Sequence, residues 1–195
     1  MISNRFLRLA TFAVAALLAG CGSIHNTFTD GADARVMLRG NDAVAYHTAG
    51  KPVPGDRAIN ATYDGDVYRF ASAANKQAFE ADPRRYAPAY AGFCASGAPY
   101  ALKANIGADV FTIYNGRLYL FGSERVRAHW LMDADANVRA GDAYWENETK
   151  DVAFRLQNLK RYTIKVPGYK TDAELDAEHV KRFGKLPPGA PAPKP

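Results

Sequence analysis

The chain has 195 residues, 25 of them basic and 20 acidic, for a formal net charge of +5. That mild basic balance, with the two signs interspersed and no Lys/Arg block, argues against a nucleic-acid-binding protein. The length suits one domain with appendages and is enough to bury a real core.

The first element is an export signal. Arg5 and Arg8 give a short positive start, and Leu9 to Leu18 is apolar apart from Thr11. A spanning helix needs about 20 apolar residues, so this run reads as a secretory signal and not as a membrane span. Leu18-Ala19-Gly20-Cys21 follows and resembles the bacterial lipobox. The small residues suit a narrow peptidase cleft, and the thiol of Cys21 is the atom that carries diacylglycerol. The expectation is a signal peptide over 1–20 and a mature chain held on a membrane through lipidated Cys21. Each buried methylene adds about 0.8 kcal/mol, so two or three acyl chains anchor stably. Gly22, where an aspartate would favour inner-membrane retention, implies by likeness to Gram-negative sorting the outer membrane, facing the periplasm. With Cys21 acylated, Cys94 is a lone thiol in an oxidising compartment.

Residues 21–35 are polar and small and read as a tether, with the globular part beginning near Val36. Next comes an internal repeat. Tyr63-Asp-Gly65-Asp-Val67-Tyr68-Arg-Phe70-Ala-Ser72 matches Tyr114-Asn-Gly116-Arg-Leu118-Tyr119-Leu-Phe121-Gly-Ser123 at an offset of 51, which also relates Ile59 to Val110, Phe79 to Trp130 and Asp82 to Asp133. The unit is β-β-α. Asp64-Gly65 and Asn115-Gly116 are tight-turn dipeptides between alternating strands. Ser72 and Ser123 stand at helix N-cap positions. The helices are expected over about 73–81, before Asp82-Pro83, and 124–132, with Phe79 and Trp130 as core anchors. Residues 146–186 read as a helical extension, with helices over 151–160 and 171–183, the second beginning at Thr171/Asp172 and ending before Gly184. The Pro-rich 187–195 reads as a disordered or extended tail. The fold class is therefore α+β: tandem β-β-α units whose strands form one antiparallel sheet, helices on one face, then the extension.

Together, Asp42-Ala-Val-Ala-Tyr46, Gly50-Lys51, Tyr63-x-Gly65, Tyr68-x-Phe70-x-Ser72, Asn75, Phe79, Asp82-Pro83-x-x-Tyr86-x-Pro88 and Tyr90-Ala-Gly92-Phe93-Cys94-Ala95-x-Gly97 resemble a YHS domain. The nearest likeness is to exported single-domain YHS proteins of proteobacteria, where a stretch like Ile113 to Leu120 and a Trp130-Leu131 segment also follow. The resemblance spans about 36–145. YHS domains are often described as metal-associated, which implies copper or zinc. The versions attached to metal-transporting ATPases carry cysteines where this chain has Ala45 and Ala71, so two soft ligands are missing here.

Among candidate sites, Cys94 is a metal ligand or reactive thiol in a Gly-rich loop, or a small buried hydrophobe. Gly92-Phe-Cys94-Ala-Ser-Gly97 is one residue off a nucleophile elbow. His25 falls in the tether, His179 in the extension, His47 on the surface, and His129 in half-buried packing. A closed four-ligand zinc site has no local basis in this pattern. Tyr86, Tyr90 and Tyr100 flank Cys94 and either shape a small-ligand pocket or pack. Three functions follow. The first is a non-catalytic binding module for a transition metal or small ligand centred on Cys94. The second is an envelope scaffold that docks a protein partner through residues 146–195, and the third a thiol enzyme.

Overall fold

The computed structural model describes residues 23–191. The expected signal peptide, the lipobox-like segment and Cys21 lie outside the described residues, as do the last four residues of the tail. Strands β1 (Phe28–Asp30), β2 (Asp33–Val36), β3 (Asp56–Tyr63) and β4 (Asp66–Phe70) form a sheet in the order β1-β2-β4-β3, and β5 (Val110–Tyr114) pairs with β6 (Arg117–Phe121) in a second, two-stranded sheet. The helices are α1 (Ala43–Thr48), α2 (Ala73–Ala81), α3 (Pro83–Tyr86), α4 (Glu124–Leu131), α5 (Ala134–Tyr144), α6 (Phe154–Thr163) and α7 (Asp172–Phe183). The class is α+β with a helical C-terminal part.

Local chemistry explains why the units form. In each hairpin turn both central residues have positive φ, Asp64 at 52° and Gly65 at 74°, Asn115 at 49° and Gly116 at 74°. That geometry matches the right-handed twist of the flanking strands. Ser72 Oγ accepts from Asn75 N at 3.1 Å, and Ser123 Oγ from Val126 N at 3.4 Å, each satisfying an orphan donor of its helix. The aromatic anchors repeat as well. Phe79 lies 4.6 Å from Tyr68 and 5.1 Å from Phe70, and Trp130 lies 4.9 Å from Tyr119 and 5.5 Å from Phe121.

The expectation of a single antiparallel sheet needs correction. The hairpins stay in separate sheets, and β2 runs parallel to β4 at Val36↔Val67. The hydrogen-bonding edge that would have joined them is already occupied. β2 covers the edge of β4, and the segment 88–94 covers β6 through parallel bridges at Pro88↔Leu118 and Cys94↔Leu120. Strand β6 is instead the wall between two cores. Side chains alternate across a strand, so Leu118 and Leu120 face the core of Met37, Tyr46, Phe70 and Phe79, while Tyr119 and Phe121 face that of Tyr90 and Trp130.

The tether reading of 21–35 also needs correction over its described part. Residues 28–36 form two strands. Asp30 and Asp33 pair with Arg69 at 2.6 and 2.8 Å, and Asn26 Nδ2 donates to Gly92 O at 2.7 Å and to Ile106 O at 3.2 Å. This segment is fixed by polar contacts and not by apolar burial, so its hydropathy concealed its packing. Helix α6 starts three residues later than expected because a π-helical turn, Trp145–Thr149, and a short turn after it precede it. Helix α7 begins at the expected Thr171 cap, which forms a full capping box with Glu174, and ends at Gly184 in the left-handed conformation.

Candidate functional site

Cys94 sits 5% exposed in the first core beside Met37, Leu38, Leu118 and Leu120. Its Sγ has one polar neighbour, Ser96 Oγ at 3.1 Å. Its place in the fold explains it. A left-handed turn at Leu38, Arg39 and Gly40 (φ 57°, 55° and 80°) recurs at Tyr90, Ala91 and Gly92 (55°, 48° and 78°). Two residues beyond each turn stand Asp42 and Cys94, whose amides bond Val53 O at 2.8 Å and Ala104 O at 3.1 Å. Cys94 is thus the second unit's counterpart of Asp42. Asp42 is fully buried, and its carboxylate accepts from Val44 N, Ala45 N, Ala71 N and Asn75 Nδ2, knitting α1 to the start of α2. The thiol fills the same position as a small apolar group.

Copper or zinc does not fit there. Among the described residues no three His, Cys, Asp or Glu side chains stand together as a metal-holding group. No histidine bonds the thiol, so the dyad of a thiol enzyme is not assembled. His129, expected in half-buried packing, is buried and bonds Asp176 at 2.8 Å. His179 is buried and bonds Lys185 O at 2.8 Å. His47, expected on the surface, is half-buried edge-on to Tyr86.

The structure builds a different site where the two units meet: an open cleft of about 590 Å³ lined by residues from Ile24 to Asp151. Its polar wall is a charge cluster around one buried carboxylate. Asp66, the first residue of β4, is 1% exposed and accepts from His25 Nδ1 through one carboxylate oxygen and from Arg35 Nε at 2.9 Å through the other. His25 Nδ1 also lies 3.2 Å from Arg35 Nη2, and Nε2 lies 3.8 Å from the exposed Asp64 carboxylate. Removing a carboxylate from water costs several kcal/mol unless its lone pairs are satisfied, and here both oxygens are.

The opposite wall belongs to the second unit. Tyr90 is held in the left-handed region, which costs a non-glycine residue about 1–2 kcal/mol. Its ring lines the cleft while its hydroxyl lies against Gly141 of α5, where a Cβ would come within 2.6 Å of that oxygen. Burial, with Asp142 nearby, pushes the Tyr90 phenol far above its usual range. Burial does the same to Tyr68 across the cleft, so both rings are neutral. Arg117 pairs with Asp142 at 2.8 Å and covers the Tyr119 ring, and Arg84 adds an exposed cation at the rim. The cleft therefore combines the exposed Asp64 carboxylate with the guanidinium groups of Arg84 and of Arg117, the latter over the Tyr90 and Tyr119 rings.

Lys103 props one end of this arrangement. It is 1% exposed, and its ammonium donates to Ile24 O (3.3 Å), Lys150 O (3.3 Å) and Val152 O (2.7 Å) between the faces of Phe93 and Trp145. Burial pulls this amine down to about 8. At the level of sequence His25 was set aside with the tether and Asp66 as a turn carboxylate explained by capping, while Arg35, Arg117 and Lys103 were not candidates. The one local signal was the polar character of β4's first residue, Asp66, in an otherwise buried strand.

The fold and the cleft define an α+β module of a kind compatible with a non-catalytic binding role. A YHS domain is found at residues 44–90, about a quarter of the chain, running from α1 through the hairpin and α2 to Tyr90. The second unit and Cys94 lie beyond that match. No curated protein matches the chain, and no solved structure matches it.

Proposed function

We propose that this chain is a lipid-anchored envelope protein that binds a small polar molecule in the cleft between its two β-β-α units. The lipobox-like Leu18-Ala19-Gly20-Cys21 supports the anchor. One observation carries the binding role: a buried Asp66 carboxylate, held by His25 and the exposed Arg35, lies in the wall of an open cleft of about 590 Å³. Apolar residues would pack such a wall at lower cost, so the charges are better explained by a ligand than by folding. The ligand that fits presents an ammonium or hydroxyl donor to Asp64 and a carboxylate to Arg84 and Arg117.

The test is a thermal-shift and NMR titration of residues 22–195 with zwitterionic amino acids and 2-hydroxy acids, with Zn(II) and anaerobic Cu(I) as separate arms. Saturable binding of an organic probe that His25→Ala removes and Cys94→Ser leaves intact is the expected result. Stoichiometric metal binding lost with Cys94→Ser would overturn the cleft reading and restore the thiol-centred one.

A further inference from the structure

Helix α6 is built inside out. A helix on a globular protein normally turns its apolar stripe to the core and its polar side to water. In α6 the polar side faces inward. Gln157, 1% exposed, donates to Ala101 O at 2.8 Å and to Glu148 at 2.6 Å. Asn158 exchanges two hydrogen bonds with the Lys103 backbone, at 2.9 and 2.6 Å, and Arg161 grips Glu148. Leu156, Leu159 and Tyr162 project outward, with Ile164 just past the last turn; Leu159 and Tyr162 are each 67% exposed. Arg155, Lys160 and Lys165 flank this outer face, and residues 154–165 contain no carboxylate.

We infer that α6 lies in the surface of an anionic bilayer, with Leu156, Leu159, Tyr162 and Ile164 among the acyl chains and the flanking cations at the headgroups. Two observations select a bilayer as the occupant. The first is charge: an apolar face rimmed by cations alone is the pattern of an interfacial helix on anionic lipid. The second is where the remaining chain leaves the domain. Phe154 N, the first amide of α6, donates to Ser23 O at 3.1 Å, and Lys103 Nζ holds Ile24 O. The described chain therefore begins, at Ser23, against the N-terminal end of this same helix. Cys21 is two residues before Ser23, at most about 7 Å of extended chain. The inference leans on the proposed acylation of Cys21 for that proximity, while the helix's own affinity for lipid is independent of it. No described helix is long and apolar enough to cross a membrane. Lying in the interface is a different role and needs no such length.

The test is flotation of residues 22–195, which contain both cores and lack the anchor, with phosphatidylglycerol/phosphatidylethanolamine vesicles and with neutral phosphatidylcholine vesicles. The wild-type chain is expected to float with the anionic vesicles, less so at high salt or on neutral lipid. The variant L159E/Y162E, altered only at exposed positions, is expected to lose at least tenfold in partitioning while keeping its circular dichroism. An environment-sensitive fluorophore on Leu159→Cys should shift to the blue on vesicles, and one on Lys76→Cys should not. Absence of flotation, together with an unshifted Leu159 label in the full-length protein reconstituted into vesicles, would overturn the inference. So would a dimer in sedimentation velocity that L159E/Y162E dissolves, because a second copy would then own the face. Cell fractionation of the full chain with Cys21→Ser separately decides the anchor, so failure of one reading does not pass for failure of the other.

Discussion

Asp66 has 1% of its surface exposed, with His25 on one carboxylate oxygen and Arg35 on the other. Truncation leaves the imidazole without its partner, while Arg35, 43% exposed, turns to water. Asp66→Ala is expected to destabilise the fold by about 1–3 kcal/mol, the cost of leaving a buried polar group unpaired. His25→Ala removes one partner, leaves Arg35 in place and should cost less. Urea denaturation of the two variants checks the order, and a larger loss for His25→Ala would show that the imidazole packs and does not merely answer the carboxylate. Cys94 is the opposite case, a group whose reactivity the fold suppresses. Native Cys94 is expected to react with iodoacetamide only as fast as the protein opens, at least a hundredfold slower than in urea. Cys94→Ala should cost about 1–2 kcal/mol through lost packing, a small core truncation. Rapid native alkylation would move Cys94 back among the functional residues.

Helix α6 is held by polar bonds, and those bonds titrate. Burial raises the Glu148 carboxyl, but the hydrogen bonds from Arg161, Gln157 and Lys160 outweigh it and hold the group at about 2. A carboxyl whose folded value lies below its unfolded value contributes stability above the unfolded value and loses it as pH falls toward the folded one. The docking of α6 should therefore weaken between about pH 4.5 and 2. Amide exchange in 154–163 is expected to quicken across that window well before exchange in β6, and Glu148→Gln should flatten the effect. Lys103 works with the same sign at the other end of the scale. Its amine, lowered to about 8 from 10.5, makes stability rise as pH climbs from 8 to 10.5. The difference in urea stability between wild type and Lys103→Met, measured across that range, isolates this contribution from the ionising tyrosines. Such elements differ in how openly their sequence declares them. The β-β-α units were legible because Asp64-Gly65, Asn115-Gly116, Ser72 and Ser123 act locally. Helix α7 was legible for the same reason, with a cap at each end. Helix α5, over Ala134–Tyr144, was missed: it follows α4 almost without a break at Asp133, whose side chain makes no capping hydrogen bond. The outward face of α6 was hidden because Leu156 and Leu159 have the spacing of core residues, and only the partners of Gln157 and Asn158 show which side faces in.

At the scale of the whole molecule, the two units do not account for the fold until the N-terminal segment is laid across them. Ser23 O receives the first amide of α6, Ile24 O receives Lys103, and His25 reaches Asp66 of the first unit. Asn26 reaches Gly92 and Ile106 beside the second unit's loop, and Asp30 and Asp33 close over Arg69. A segment that bonds the first unit, the second unit and the C-terminal helices in turn has the position of a strap. Reading it as a tether follows from its polarity, and so does missing the cleft, whose members are scattered from His25 to Trp145 and converge only because the strap brings the first of them in. The two ideas separate experimentally. If residues 23–35 were a tether, a chain beginning at Val36 would keep its stability. As a strap, their loss strips Asp66 of its histidine and, with Arg35, of its guanidinium. It also leaves Arg69, 8% exposed at its side chain, without either carboxylate, and removes one of the three acceptors of Lys103. An uncompensated buried charge costs about 3–5 kcal/mol, and a domain's whole stability is about 5–15 kcal/mol. The chain beginning at Val36 is therefore expected to lose its cooperative transition, with collapsed near-ultraviolet circular dichroism and dye binding typical of an unpacked core. Adding a synthetic peptide of residues 22–35 should restore part of the signal, because the contacts it makes are discrete and polar. A fully cooperative transition in the truncated chain would return these residues to a tether and remove His25 from the proposed binding site.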